Sequence, residues 1–351
     1  MRLCGLLATL GLLLAAAPAL AAEDIEVPEK AGFRHERTQI GFPASIGGMD
    51  RNWVRDFGTG QYDVAALYQT DDQATFLTLY VYRAGLPDTS IWFDRLVSVM
   101  TAREGFHPAS QASLEPALYR PAGSDTPTGL ALAYDLAPGQ PNTATGAILF
   151  PHGPWLIKLR ATSSSMDAAE LSRLLGEVER TLTRPEPEYL SAPAYLVQPC
   201  STRLESGDAT IVEPEAGAVG AISLMMDGVG ASLDADGKKI PAPAPRWCRD
   251  DKVGDFNVYR PDDAPDRYVV AFGDSGNVLQ VGIVMAELPA LGPKDHGIPI
   301  IYADANRTML MALVDRVPGP AAAWEMARQA NALGTADRDG HVQITADSRA
   351  K

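Results

Sequence analysis

The chain has 351 residues, 46% of them hydrophobic and 21% charged, and a formal net charge of −14 at pH 7. That balance supplies ordinary cores and excludes a chain disordered as a whole. Its acidity argues against nucleic acid and anionic membrane surfaces as partners, since phosphate would repel it, and its length favours two domains over one.

Residues 1–22 read as a secretory leader. Arg2 supplies the positive charge, Leu6 to Ala17 the apolar core, and Ala19-Leu20-Ala21 a small-x-small cleavage site. The apolar run is shorter than a spanning helix needs, although an uncleaved anchor is the alternative. Cys4 precedes the apolar core, which excludes a lipoprotein cysteine. Later segments lack a membrane-spanning run, so an exported periplasmic or extracellular protein is expected, not an integral membrane one. The leader takes one Arg and no acid with it, moving the formal charge to −15. The two remaining cysteines, Cys200 and Cys248, are expected to pair in an oxidising compartment. Such a bridge stabilises by about 4 kcal/mol on the chain-entropy account.

Along the chain, Glu23 to Lys30 is a loose lead-in, and short apolar pieces from Phe33 to Phe57 suit a meander. Tyr62–Gln69 and Ala74–Arg83 alternate with period two around a turn at Asp71-Asp72 and read as strands. A helix from Thr89 to Arg103 follows, capped by Asp88 or Thr89 and stopped at Gly105. Strands return at Leu114–Tyr119 and Gly129–Leu136. A hairpin then runs from Ala147-Ile-Leu-Phe150 through Pro151-His-Gly-Pro154 into Trp155-Leu-Ile-Lys-Leu-Arg-Ala161. A helix from Asp167 to Leu182 closes the segment, with Ser164-x-x-Asp167 as its expected capping box and Leu171, Leu174, Leu175, Val178 and Leu182 as its apolar stripe. This order predicts a mainly antiparallel sheet with packed helices, an α+β architecture.

From Phe33 to Thr183, the element order and the strand Trp155-Leu-Ile-Lys-Leu-Arg160 before the last helix resemble the Mog1/PsbP-like α/β/α sandwich. The resemblance implies a binding or assembly-accessory role more readily than catalysis, and it carries over no site residue.

Arg184-Pro-Glu-Pro187, Pro193 and Pro199 mark a linker over 185–199 between an N-terminal domain (23–184) and a C-terminal α+β domain (200–336). Within the latter, strands are expected at Arg267–Phe272 and Asn277–Glu287 around Gly273-Asp-Ser-Gly276. A helix is expected from Asp304 to Val317 on the spacing of Met309, Leu310, Leu313, Val314 and Val317, and another from Ala321 to Leu333. Residues 337–351 read as a flexible tail. Val258-Tyr-Arg-Pro261 echoes Leu118-Tyr-Arg-Pro121, which suggests that the second half is a diverged repeat of the first.

For chemistry, Gly273-Asp-Ser-Gly276 resembles the nucleophile segment of trypsin-like serine proteases. Asn277 and Val278 stand where that family has Gly and Pro, and His35, His107 and His152 lack the family's histidine setting. Ser275 is therefore a weak nucleophile candidate, and a polar hairpin turn is the favoured reading. The five histidines, His35, His107, His152, His296 and His341, are scattered beyond metal-ligand spacing; His152 reads as a solvated turn residue. Asp234-x-Asp236-Gly237 and Asp337-x-Asp339-Gly340 lack the acids at the first and twelfth positions of a calcium loop. Asp250-Asp251 and Asp262-Asp263, beside Arg249 and Arg260, read as surface charge. No metal and no cofactor is expected. Tyr62, Tyr68, Tyr80 and Tyr82 could share one sheet face and bind carbohydrate, a peptide or a protein, unless the helix Thr89–Arg103 covers them.

The leading expectation is an exported, non-catalytic envelope protein that binds or scaffolds, its partner an envelope protein or a small ligand. The alternatives are an envelope hydrolase using Ser275 and a small-ligand carrier using a cleft between the domains.

Overall fold

A computed structural model of the chain describes residues 22–111, 114–187, 191–213, 231–233, 239–241, 245–283 and 297–345. All but the last residue of the expected leader, together with Asp234, Asp236, Gly237 and His296, lie outside these. Among the described residues no helix is long and apolar enough to cross a membrane.

Two antiparallel sheets carry the fold. In the first, β1 (Met49–Asp56), β2 (Asp63–Gln69) and β3 (Thr75–Tyr82) form a meander. The chain leaves it through α1 (Thr89–Ala102) and returns as β4 (Gly129–Asp135), β5 (Ala144–His152) and β6 (Trp155–Ser163). β6 pairs with β3, so the central order is β1-β2-β3-β6-β5-β4. The hairpin β5–β6 is in register from Ala144↔Ser163 to His152↔Trp155. α2 (Ala168–Thr181) follows it.

The second sheet is sequential: β7 (Trp247–Arg249), β8 (Asn257–Pro261), β9 (Tyr268–Phe272), β10 (Asn277–Val281), β11 (Ile298–Ala303), β12 (Arg307–Val314), β13 (Gly334–Asp337) and β14 (Val342–Ile344). α3 (Pro320–Gln329) lies between β12 and β13 and begins with proline, as a first turn permits.

The helices and sheets alternate as layers. Leu171, Leu175 and Val178 of α2 pack on Val64, Leu79 and Ile157, covering one face of the first sheet. Ile91, Trp92, Leu96 and Met100 of α1 join Leu132 and Leu149 on its other face and also Tyr259, Val269, Ala271 and Val278 of the second sheet. α1 is thus walled on both sides, which is why it buries even Ser90 and Arg95. Ala323 and Ala327 of α3 cover the far face of the second sheet against Val258, Val270 and Ile300. The second sheet alternates accordingly, Val269 and Ala271 toward α1, Tyr268 and Val270 toward α3.

The caps explain where the helices start. Asp88 accepts a hydrogen bond from Ile91 N at 3.0 Å. The box on α2 lies one turn later than expected: Asp167 accepts from Glu170 N at 2.8 Å and Glu170 accepts from Asp167 N at 3.1 Å, so Asp167 is the first member of the box and not the last.

Several expectations are corrected. Residues 304–317 are not a helix; β11 turns at Asp304–Asn306 into β12, with Asp304 Oδ1 accepting from Asn306 N and Arg307 N. Residues 337–344 are not a loose tail, because Asp337 ends β13 and β14 pairs with it. The segment 185–199 is not a free linker along its length. Ala194 is buried in the core around α1, and Gln198–Pro199 pairs parallel with β7. Nor do the strand orders repeat: the first sheet has a crossover through α1, whereas the second, from β7 to β14, pairs each strand with its successor, which speaks against a duplication.

Candidate functional site

The β9–β10 turn, Gly273-Asp-Ser-Gly276, is a polar hairpin turn, and its task is to dock on the first sheet. Three of its four carbonyls accept from the first half of the chain. Gly273 O takes Arg95 Nε at 2.8 Å, Asp274 O takes Lys158 Nζ at 2.9 Å, and Gly276 O takes Gly85 N at 2.8 Å. Glycine is required at two of these crossings. A Cβ on Gly276, which has φ +94°, would lie 2.6 Å from Ala84 Cα, and one on Gly85 would lie 2.6 Å from Ala303 O.

Lys158 is the centre of this junction. It sits mid-strand in β6, 2% exposed, because its neighbours Ile157 and Leu159 face α2 while it faces the second sheet. A buried ammonium needs partners. Asp274 Oδ2 accepts from it at 3.0 Å, and its nitrogen lies 4.2 Å from the ring centre of Tyr80 and 5.5 Å from that of Tyr82. The facing ammonium of Lys158 holds the Asp274 carboxyl below its ordinary range, against the opposing effect of burial.

Around Lys158 the two sheets leave a cleft of about 600 Å³. Asp63 and Tyr82 line it from the first sheet, Asp274 and Ser275 from the β9–β10 turn, and Tyr302 and Asn306 from β11 and the turn after it. Phe57 stands at its edge, 41% exposed. Asp63 is half-buried, and among the described residues no donor hydrogen-bonds its carboxylate. Burial pushes its pKa up to about 7, with Asp274 and Asp56 adding to the shift and Lys158 opposing it. A second, more open cleft of about 480 Å³ adjoins it at Asp304 and Asn306. Its charges are matched within the protein: Arg37 bonds Asp339 at 3.1 Å while lying 3.8 Å over the Tyr62 ring, and Tyr62 donates to Asp339 at 2.9 Å.

The four tyrosines do not share a face. Asp63 stands opposite Tyr82 and Tyr68 opposite Leu77, so Tyr62 and Tyr68 lie on the α2 side with Leu77, Leu79 and Val81. Tyr80 and Tyr82 lie on the other side, beneath Lys158. Each strand carries its tyrosines on one side, but the register places the two strands' sets on opposite sides. Tyr68 is fully buried, with its hydroxyl donating to Pro43 O.

Ser275 faces the cleft, and among the described residues its hydroxyl has no hydrogen bond to a histidine or carboxylate. Lys158, which also lines the cleft and docks this turn, is committed to Asp274. His35 is buried against Trp155 and bonds Thr38 and Gln61, and His341 bonds Asp337. His152 is not a solvated turn residue: it ends β5, 7% exposed, and burial with nearby Arg184 lowers its pKa to about 4.

Cys200 and Cys248 form a disulfide, which fastens the segment after Pro199 to β7. Beside it, the acids near Arg260 are not simple surface charge. Arg260 is fully buried and pairs with Asp250 and Asp263. The one group of metal-ligand side chains gathered among the described residues is Cys200, Cys248 and Asp263, and its sulfurs are used by the disulfide.

Comparisons with protein-family models, curated proteins and solved structures found no match.

Proposed function

We propose that the protein is an exported binding protein without catalytic activity, and that its ligand site is the cleft around Lys158 between the two sheets. The observation that carries this reading is the cleft itself. Its 600 Å³ fall in the ordinary range for small-ligand sites, about 300–1,000 Å³. Aromatic rings and convergent polar groups line it, and Asp63 is on its wall with no donor among the described residues.

The N-terminal half, in this reading, is a Mog1/PsbP-like α/β/α sandwich and the C-terminal half a second α+β domain. Helices on opposite faces of the first sheet support the first assignment, and α3 on the far face of the second sheet supports the other. The leader-like residues 1–22 and the Cys200–Cys248 disulfide support export to the periplasm or beyond.

A hydrolase centred on Ser275 is the weaker reading. Acyl transfer by serine needs a base on its hydroxyl, and an ammonium engaged by Asp274 has no free lone pair with which to take the proton.

Native mass spectrometry of mature protein taken gently from its own envelope tests the proposal. A bound mass of small-molecule size supports it. A co-purifying protein with an empty cleft would favour a scaffold instead, and the masses report leader cleavage in the same spectrum.

A further inference from the structure

We propose, resting on the ligand-cleft reading above, that the cleft selects a small organic cation, an alkylammonium or quaternary ammonium group, with Asp63 as its counter-ion.

The inference comes from which charges are already used. Three carboxylates and one ammonium line the cleft. Asp274 is engaged by Lys158. Asp304 caps its own turn, accepting from Asn306 N and Arg307 N at 2.9 Å each. Asp63 is left over, on the same wall as Tyr80 and Tyr82. A carboxylate half-withdrawn from water, with no donor among the described residues, is costly to ionise, and an entering cation is what would complete it.

The remaining lining agrees. Phe57 and Tyr302 add aromatic surface, whose faces attract cations. Lys158 over Tyr80 is a cation already held in that manner. An anion would meet Asp63, Asp274 and Asp304 together. A neutral polyol could hydrogen-bond there but would leave Asp63 uncompensated. The chain's formal charge of −14 draws cations and repels anions at longer range.

The groups facing Asp63 are Lys158 on β6, Asp274 in the β9–β10 turn and Asp56 at the end of β1. With a carboxyl titrating near 7, about a tenth is ionised at pH 6 and about nine-tenths at pH 8.

The test is calorimetric titration of the full mature chain with n-butylammonium and tetramethylammonium chloride, with glucose and inorganic phosphate as comparators. Saturable binding of an ammonium, about tenfold weaker at pH 6 than at pH 8 and abolished by Asp63→Asn, is the expected result. Near-UV circular dichroism checks that the variant folds, and the wild-type pH dependence tests the same carboxylate without any substitution. Ammonium binding unaffected by pH and by Asp63→Asn overturns the assignment. Glucose or phosphate binding in place of the ammonium overturns the cation while leaving the ligand cleft standing. No binding of any probe, together with a bare mass for protein from the envelope, overturns both.

Discussion

At the scale of single residues, Asp63 and Lys158 differ in whether the fold gives them a partner. Lys158 is nearly completely buried and has Asp274 and two tyrosine rings; Asp63 is half-buried and has no donor among the described residues. The consequence for stability has a definite sign. A carboxyl whose pKa is higher in the folded state, here about 7 against 3.8, takes up a proton on folding. Stability from this group is therefore full below pH 3.8 and falls as pH rises toward 7. Asp88, raised to about 6 by burial, acts in the same direction, so the comparison must be between variants. Asp63→Asn should flatten the decline between pH 4 and 8, leaving the variant more stable than wild type at pH 8 by on the order of a few kcal/mol. Urea denaturation at stepped pH measures it. Parallel wild-type and variant profiles would mean that the carboxyl is not held up.

Among the elements, α2 is the one most completely legible in the sequence. Its stripe of Leu171, Leu175 and Val178 is buried as the spacing implies, because one helix face meets a sheet and the other meets water. Leu175→Asp puts an unpaired charge where exposure is 1% and should cost upward of about 4 kcal/mol, enough to unfold the first sheet's α2 side. A near-UV spectrum and melting temperature like those of wild type would mean that the face is wrong. β12 looks helical in sequence for a physical reason. Its buried side carries Thr308, Leu310 and Ala312, but Met309 and Met311 stand on the partly exposed side and Ala312 to Val314 are buried in succession, so the polar–apolar alternation that marks a strand is lost. Met309, Leu310, Leu313 and Val314 then imitate a helical stripe. A cleft between the halves is conceivable from the sequence, but its lining is hidden for a different reason. Each tyrosine pair was visible within its strand, but face depends on the register between strands. Lys158 and Asp274 are 116 positions apart, and only the docking of the two sheets joins them. A lysine between Ile157 and Leu159 did signal that a buried charge needed a partner somewhere in the chain.

For the whole molecule, the question is whether the two sheets unfold together. The core around α1 takes Leu132 and Leu149 from the first sheet and Val269 and Val278 from the second, so neither sheet keeps its inner face covered if the other leaves. One cooperative calorimetric transition is therefore expected. Reduction of Cys200–Cys248 should lower that transition while keeping it single, since the bridge lies within the second half and its loss frees about 48 residues in the unfolded chain, a change of up to about 4 kcal/mol; an unmoved midpoint would count against the bridge. Gly276→Ala acts at the junction instead. The new methyl would press on Ala84 at a backbone conformation of φ +94°, and the turn cannot withdraw without breaking the bonds from Gly85 and Lys158. Destabilisation of roughly 2–4 kcal/mol is expected from the strain and lost contact. Because the substitution separates the sheets without entering either of their outer cores, the single transition should also broaden or split, with the α2 side and the α3 side melting apart. A variant that melts sharply at the wild-type temperature would mean that the sheets are not coupled through this turn, and the cleft they enclose would then have no fixed shape to offer a ligand.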